Sequence, residues 1–83
     1  MISLTQIDLI QGHIYSAKKE KVLWTGEFCD RMIIRLWDTT LQYDSPAIKD
    51  GRRFPIVEIE KFLLWAKEDV TDKTPKREWR KKP

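Results

Sequence analysis

Residues 30–40, DRMIIRLWDTT, decide the fold because they satisfy two incompatible templates. The string Ile34-Arg35-Leu36-Trp37-Asp38-Thr39 has the make-up of a strand at the rim of a propeller blade. Read as a strand, Met32, Ile34 and Leu36 line one face, but Asp38 interrupts it. The opposite face mixes Ile33 and Trp37 with Arg31 and Arg35. Read as a helix, Cys29, Ile33, Leu36, Trp37 and Leu41 recur at helical spacing and face inward. Arg31, Arg35, Asp38, Thr39 and Gln42 then fall outside. Asp30 is a favourable N-cap residue. Spacing and cap together select a helix over 30–42.

Length removes the propeller. A blade needs about forty residues and several must close a ring, whereas this chain has 83 residues and holds the string once. A chain of that size makes one small domain, near the limit at which a single core suffices.

Upstream, SLTQIDLIQ (residues 3–11) opens with a capping-box pattern, Ser3 and Gln6. Leu4, Ile7 and Ile10 follow at helical spacing and Gly12 suits a left-handed stop. A helix and an extended link over residues 1–15 are expected. Ser16 can cap a second short helix through AKKEKVLW, although KVLWTGEF also alternates as a strand would. Downstream, Asp44-Ser45-Pro46 is a turn. Residues 47–49 and 52–54 flank Asp50-Gly51, the dipeptide suited to a two-residue hairpin. Pro55 can open a helix, and IVEIEKFLLWAKED carries the stripe Ile59, Phe62, Leu63, Ala66. Beyond Thr71, Pro, Lys and Arg dominate and a disordered basic tail over 71–83 is expected.

The order is helix, short helix, helix, hairpin, helix, tail. That is an α+β, mostly helical chain: a small winged helix over 16–70, with a helix-turn-helix, one β-hairpin wing and a C-terminal helix. The single cysteine, Cys29, excludes an internal disulfide and suits a reducing compartment. MISLTQIDLI lacks the marks of a signal peptide and no run approaches the roughly 18 apolar residues of a membrane span. A cytoplasmic protein without a membrane partner is expected.

The net charge of +3 is unevenly placed. Residues 73–83 carry six cations against Glu78, while residues 1–72 carry ten cations and twelve anions. Nucleic-acid binding must therefore rest on where the body's cations sit.

The run LWTGEFCDRMIIRLW (23–37), with Thr25-Gly26 at the turn and Ile34-Arg35-Leu36 after it, resembles the helix-turn-helix of AlpA-like and excisionase-type DNA-binding proteins of phages and prophages. SPAIKDGRRFPIVEIEKFL (45–63) resembles the rest of that domain, with Pro46, Ile48, Lys49, Gly51 and Arg52 in the wing. Ile59, Glu60, Phe62 and Leu63 match its following helix. The match spans residues 22–66; the first twenty residues have no counterpart, and Asp38 would put an anion on the recognition helix. The resemblance implies double-stranded DNA as partner, cooperative self-association on it, an integrase or recombinase as a further partner, and a role in recombination or transcription regulation.

For such a role, Arg31, Arg35, Thr39 and Gln42 share one helix face and would meet base edges. Lys49, Arg52 and Arg53 crowd the hairpin tip and would hold backbone. Lys76, Arg77 and Arg80 would add salt-sensitive phosphate attraction. Ordinary solvated faces explain the same residues, and a solubilising end explains the tail. Trp24, Trp37 and Trp65 are assigned to the core. His13 and Cys29 stand sixteen positions apart without a nucleophile, metal or phosphate-loop motif, so no catalytic residue, metal or cofactor is expected. The rival function is a protein–protein interaction module, such as a phage-encoded inhibitor or adaptor, using Glu58, Glu60, Glu68 and Asp69.

Overall fold

The deciding segment is a strand. In the computed structural model, which describes residues 4–48 and 53–82, strand β2 runs Arg31–Leu36 and turns through residues 37–39 into β3, Thr40–Asp44. Ile33 pairs with Tyr43, Arg35 with Gln42 and Leu36 with Leu41, which leaves Ile34 as an extra residue. This is a β-bulge. Ile34 and Arg35 stand together opposite Gln42, and the pleat resumes one position late. Ile33 and Leu36, three apart, therefore share a strand face, a spacing otherwise typical of a helix.

Around this pair lie β1 (Ile14–Ala17), β4 (Ile56–Glu58) and β5 (Ala66–Asp69), with helix α1 (Ile59–Trp65) between the last two. The sheet is antiparallel throughout, in the order β4-β3-β2-β1-β5. Five strands laid flat would separate the outer two by roughly 19 Å. A helix of seven residues advances only about 10 Å. The sheet must therefore curl until its edge strands can be joined by α1. The expectation of a mostly helical winged helix is overturned: no helix-turn-helix exists among the described residues, and a five-stranded sheet carries the domain.

The individual elements differ accordingly. Residues 4–11 do not give a helix, and Ser3 lies outside the described residues; a 3-10 turn, Gln6–Asp8, is capped by the Asp8 carboxylate accepting from the Thr5 amide at 2.8 Å. The residue this segment buries is Leu9, while Ile7 points outward. Pro55 precedes a strand and not a helix. The expected stripe Ile59, Phe62, Leu63, Ala66 does face inward, but Ala66 takes extended backbone and starts β5. The Asp50-Gly51 hairpin tip, with Lys49 and Arg52, lies outside the described residues.

Phe62 is the centre of the core. Its ring meets Tyr15 edge-on at 5.7 Å, Trp65 at 5.2 Å and Tyr43 at 6.4 Å between centroids. Ile33, Leu41, Ile59 and Leu9 complete it. The buried Tyr15 hydroxyl donates to the Asp8 carbonyl at 2.8 Å and accepts from the Ile10 amide at 2.9 Å. That pair of bonds fastens the N-terminal segment to the sheet.

Residues 71–82 follow a defined path, contrary to expectation. After a 3-10 turn (Thr71–Lys73), residues 71–79 cross the outer side of β1 and β2 and leave a groove of about 550 Å³ lined by Ile14, Met32 and Trp79. Residues 80–82 then align with residues 26–28: the Phe28 amide donates to the Arg80 carbonyl at 2.9 Å and the Lys82 amide to Gly26 at 2.8 Å. Arg80 reaches Asp30, which is 1% exposed, through two bonds of 2.9 and 3.0 Å. Asp30 is thus a buried ion-pair partner and not a helix cap.

Candidate nucleic-acid interface

Between β1 and β2 the chain projects as a two-stranded arm. The Cys29 amide donates to Lys21 at 2.9 Å, Val22 bridges Phe28, and the Leu23 amide donates to Glu27 at 2.8 Å. The turn closes with the Gly26 amide donating to Leu23 at 2.8 Å, and Gly26 has φ +88°, a left-handed conformation that costs glycine nothing. Trp24 sits at the tip and is 96% exposed. The Arg80 guanidinium lies 4.2 Å over the Phe28 ring while it binds Asp30. The arm is therefore anchored at its base and stiffened by a third chain segment. Residues 18–30 and 80–82 together carry six cations and three anions.

Beside the root of the arm is a groove of about 290 Å³ lined by Lys19, Lys21, Arg31, Tyr43 and Trp65. Arg31 faces the core side of the sheet, because it pairs with Tyr15. Its guanidinium lies 4.4 Å from the Tyr43 ring centre and 4.1 Å from that of Trp65. Burial pulls the Arg31 pKa below the ordinary arginine value, against the opposing influence of Tyr43 and Cys29; a guanidinium stays charged regardless. Among the described residues no carboxylate forms an ion pair with Arg31, Lys19 or Lys21. A half-buried cation next to two more, with ring faces but no counter-ion among the described residues, is suited to an anion arriving from outside.

The opposite end of β2, roughly 16 Å away along the strand, is acidic. Asp38, Glu58 and Glu60 line a groove of about 430 Å³ with Gln6, Thr39 and Leu63. The molecule is thus polarised along its strands, cations and an exposed indole at one end, carboxylates at the other.

The predicted DNA-contacting residues do not share a face. The bulge places Arg35 on the outer side opposite Gln42, while Arg31 stays on the inner side. Thr39 sits at the acidic end. Gln42 uses its side-chain amide on the Phe54 carbonyl at 3.1 Å. Arg53 is exposed ahead of Phe54. Lys76 and Arg77 border the C-terminal groove, and Arg80 is committed to Asp30. Of the predicted set, Arg31 alone among the described residues enters the cationic groove. Sequence reasoning missed Lys19, Lys21 and Trp24; the available signal was the Lys18-Lys19-Glu20-Lys21 cluster running into a Thr25-Gly26 turn.

One further polar network ties the fold. Burial works to raise the Asp69 pKa, yet bonds from the Thr71 hydroxyl and amide (2.5 and 2.9 Å) and from His13 Nδ1 (2.6 Å) outweigh it and hold the carboxyl below its ordinary value. The hydroxyl donates to the carboxylate and not to the imidazole, which is the wrong order for activating a nucleophile. Among the described residues no helix is long and apolar enough to cross a membrane. Comparison with protein-family models, with curated proteins and with solved structures finds no match to this chain.

Proposed function

We propose that this chain is a small nucleic-acid-binding protein that grips phosphate with the basic end of its sheet. The observation that carries the reading is the groove of Lys19, Lys21 and Arg31, three cations without a carboxylate partner among the described residues, one of them held between two rings. The exposed Trp24 arm extends the same surface. The excisionase or AlpA-type role loses the helix-turn-helix that supported it, so binding here is by backbone contact and arm insertion, with no recognition helix. A second reading, protein docking at the acidic end, is favoured by Leu64 of α1, 75% exposed one turn after Glu60. Glu68 and Asp69 do not serve it freely, since they engage Lys73 and His13.

The test is a fluorescence-anisotropy titration of the full chain on labelled DNA between about 50 and 200 mM salt. Every phosphate that a variant no longer neutralises lowers the slope of log affinity against log salt by about 0.7 to 0.9. Lys19→Ala/Lys21→Ala should therefore weaken binding and flatten the slope by about 1.4 to 1.8. An unchanged slope in the double variant would remove the groove from the interface.

A further inference from the structure

We infer that the nucleic acid this protein takes is single-stranded, with a base stacked on the Trp24 indole. The inference rests on the nucleic-acid reading above and deepens it. Trp24 is the most exposed large hydrophobic side chain among the described residues, at 96%, in a domain that buries Phe62 and Tyr15 completely. A tryptophan left in water forgoes the burial that a small core needs most. It is not left there by a slack loop. Two backbone bonds close its turn and the Arg80 to Asp30 pair anchors the arm, so the ring is presented on a stiff support.

Its surroundings match a strand of phosphates and not an apolar partner. Lys21 lies three residues before it on the arm, Lys81 bridges Glu27 and Lys82 bonds Gly26. A backbone tracking past the tip would meet these lysines, while Lys19 and Arg31 take a phosphate at the root. Three residues of strand span roughly 10 Å, about one Debye length, so tip and groove act on the same segment of nucleic acid. A duplex hides its base faces within the stack and offers groove edges instead. The described element narrow enough to enter a groove, the two-stranded arm, ends in Trp24, whose ring face suits stacking more than the reading of base edges. The described helix has seven residues and opens beside Glu58 and Glu60, at the acidic end. A single strand offers open base faces next to phosphate, which a lone indole among lysines fits.

The experiment compares, for the full chain, a labelled oligothymidylate of about 15 nucleotides, a size one small domain can cover, with a blunt duplex of equal length. The wild type should prefer the single strand by at least about 10-fold. Trp24→Ala should weaken single-strand binding by on the order of 10- to 100-fold, the worth of one stacked base, and leave duplex affinity within about twofold. Trp24→Phe should retain most of the affinity, and tryptophan emission should be quenched by the oligothymidylate in the wild type but far less in Trp24→Ala. Since Trp24 makes no burial contribution, the variants fold as the wild type does, and circular dichroism checks this. Equal affinity of Trp24→Ala and wild type for the single strand, or equal losses on both nucleic acids, overturns the inference. The Lys19→Ala/Lys21→Ala effect would then still stand for the underlying reading. Absence of wild-type binding to either nucleic acid overturns both.

Discussion

Replacing Arg80 with alanine is the perturbation most revealing of how this chain holds together. The Arg80 side chain is 18% exposed and its partner Asp30 only 2%, so the pair is nearly dry. Nε and Nη2 donate to the two carboxylate oxygens at 2.9 and 3.0 Å, the bidentate geometry that strengthens such bonds. Glu20, 4.0 Å from Arg80, adds little at such a distance. Removing the guanidinium strands a buried carboxylate, which costs about 3 to 5 kcal/mol. Uncovering the Phe28 ring adds about 0.5 to 1 kcal/mol. A chain of this length is expected to be stable by roughly 4 to 12 kcal/mol in total. One side chain in the last four residues therefore governs a large share of the fold. In urea, with a slope of about 1 to 1.5 kcal/mol/M for so small a domain, the midpoint should fall by roughly 2 to 6 M. Asp30→Asn in the Arg80→Ala background should recover part of the loss, because a neutral amide is cheaper to leave unpaired than a charge. A midpoint shift in Arg80→Ala below about 0.5 M would be the behaviour of a surface residue. It would refute the docked tail.

Two further outcomes follow from the geometry. Because the Asp69 pKa is held below its ordinary value, the unfolded chain takes up the proton first as pH falls. The stabilisation it gives is full above the unfolded value of about 3.9 and is lost as pH drops through the folded one. Thermal scans of wild type and Asp69→Asn between about pH 5 and pH 3 should converge, and parallel curves would contradict the network. Lys81→Ala/Lys82→Ala removes two exposed cations but no backbone bond of the docked segment. It should leave stability within about 0.5 kcal/mol while flattening the salt dependence of binding.

What the sequence disclosed was which residues face inward, more than what they are built on. Ile33, Leu36, Leu41, Ile59, Phe62 and Ala66 are all legible as core-facing positions. The Ile33–Leu36 spacing misled because a bulge at Ile34 puts a helical interval into a strand, and no local pattern separates the two cases. Asp30 misled in the same way. An aspartate before an apolar run is an N-cap on local grounds, and its true partner stands fifty residues on, beyond any window in which propensity is read. The tail composition, PKREWRKKP, suits disorder. Its order depends on one long-range charge pair and a few backbone bonds to the arm. Trp24 was assigned to the core because small domains need buried aromatics. The structure fills that need with Tyr15 and Phe62, flanked by Tyr43 and Trp65, and so leaves the indole free.

The same interactions make tail removal a poor probe of where nucleic acid binds. A chain ending before Arg80 loses Lys81 and Lys82 from the basic end, but it also leaves Asp30 buried without its partner and frees the base of the Trp24 arm. Weakened binding in such a chain would follow from a missing electrostatic surface, from an arm no longer held, or from a domain that no longer folds. Point substitutions separate these. Arg80→Ala loads the effect on stability, Lys81→Ala/Lys82→Ala on electrostatics and Trp24→Ala on stacking, since the three groups meet only through the arm's backbone. If the arm is a rigid presenter of its indole, Arg80→Ala should weaken single-strand binding even under conditions where the domain remains folded. That change also removes one of the arm's six cations, so the loss beyond that of Lys81→Ala, which removes a cation and keeps the anchor, is what the anchor contributes. What would be missing is the fixed position of the ring, and the entropy of holding it would then fall on binding.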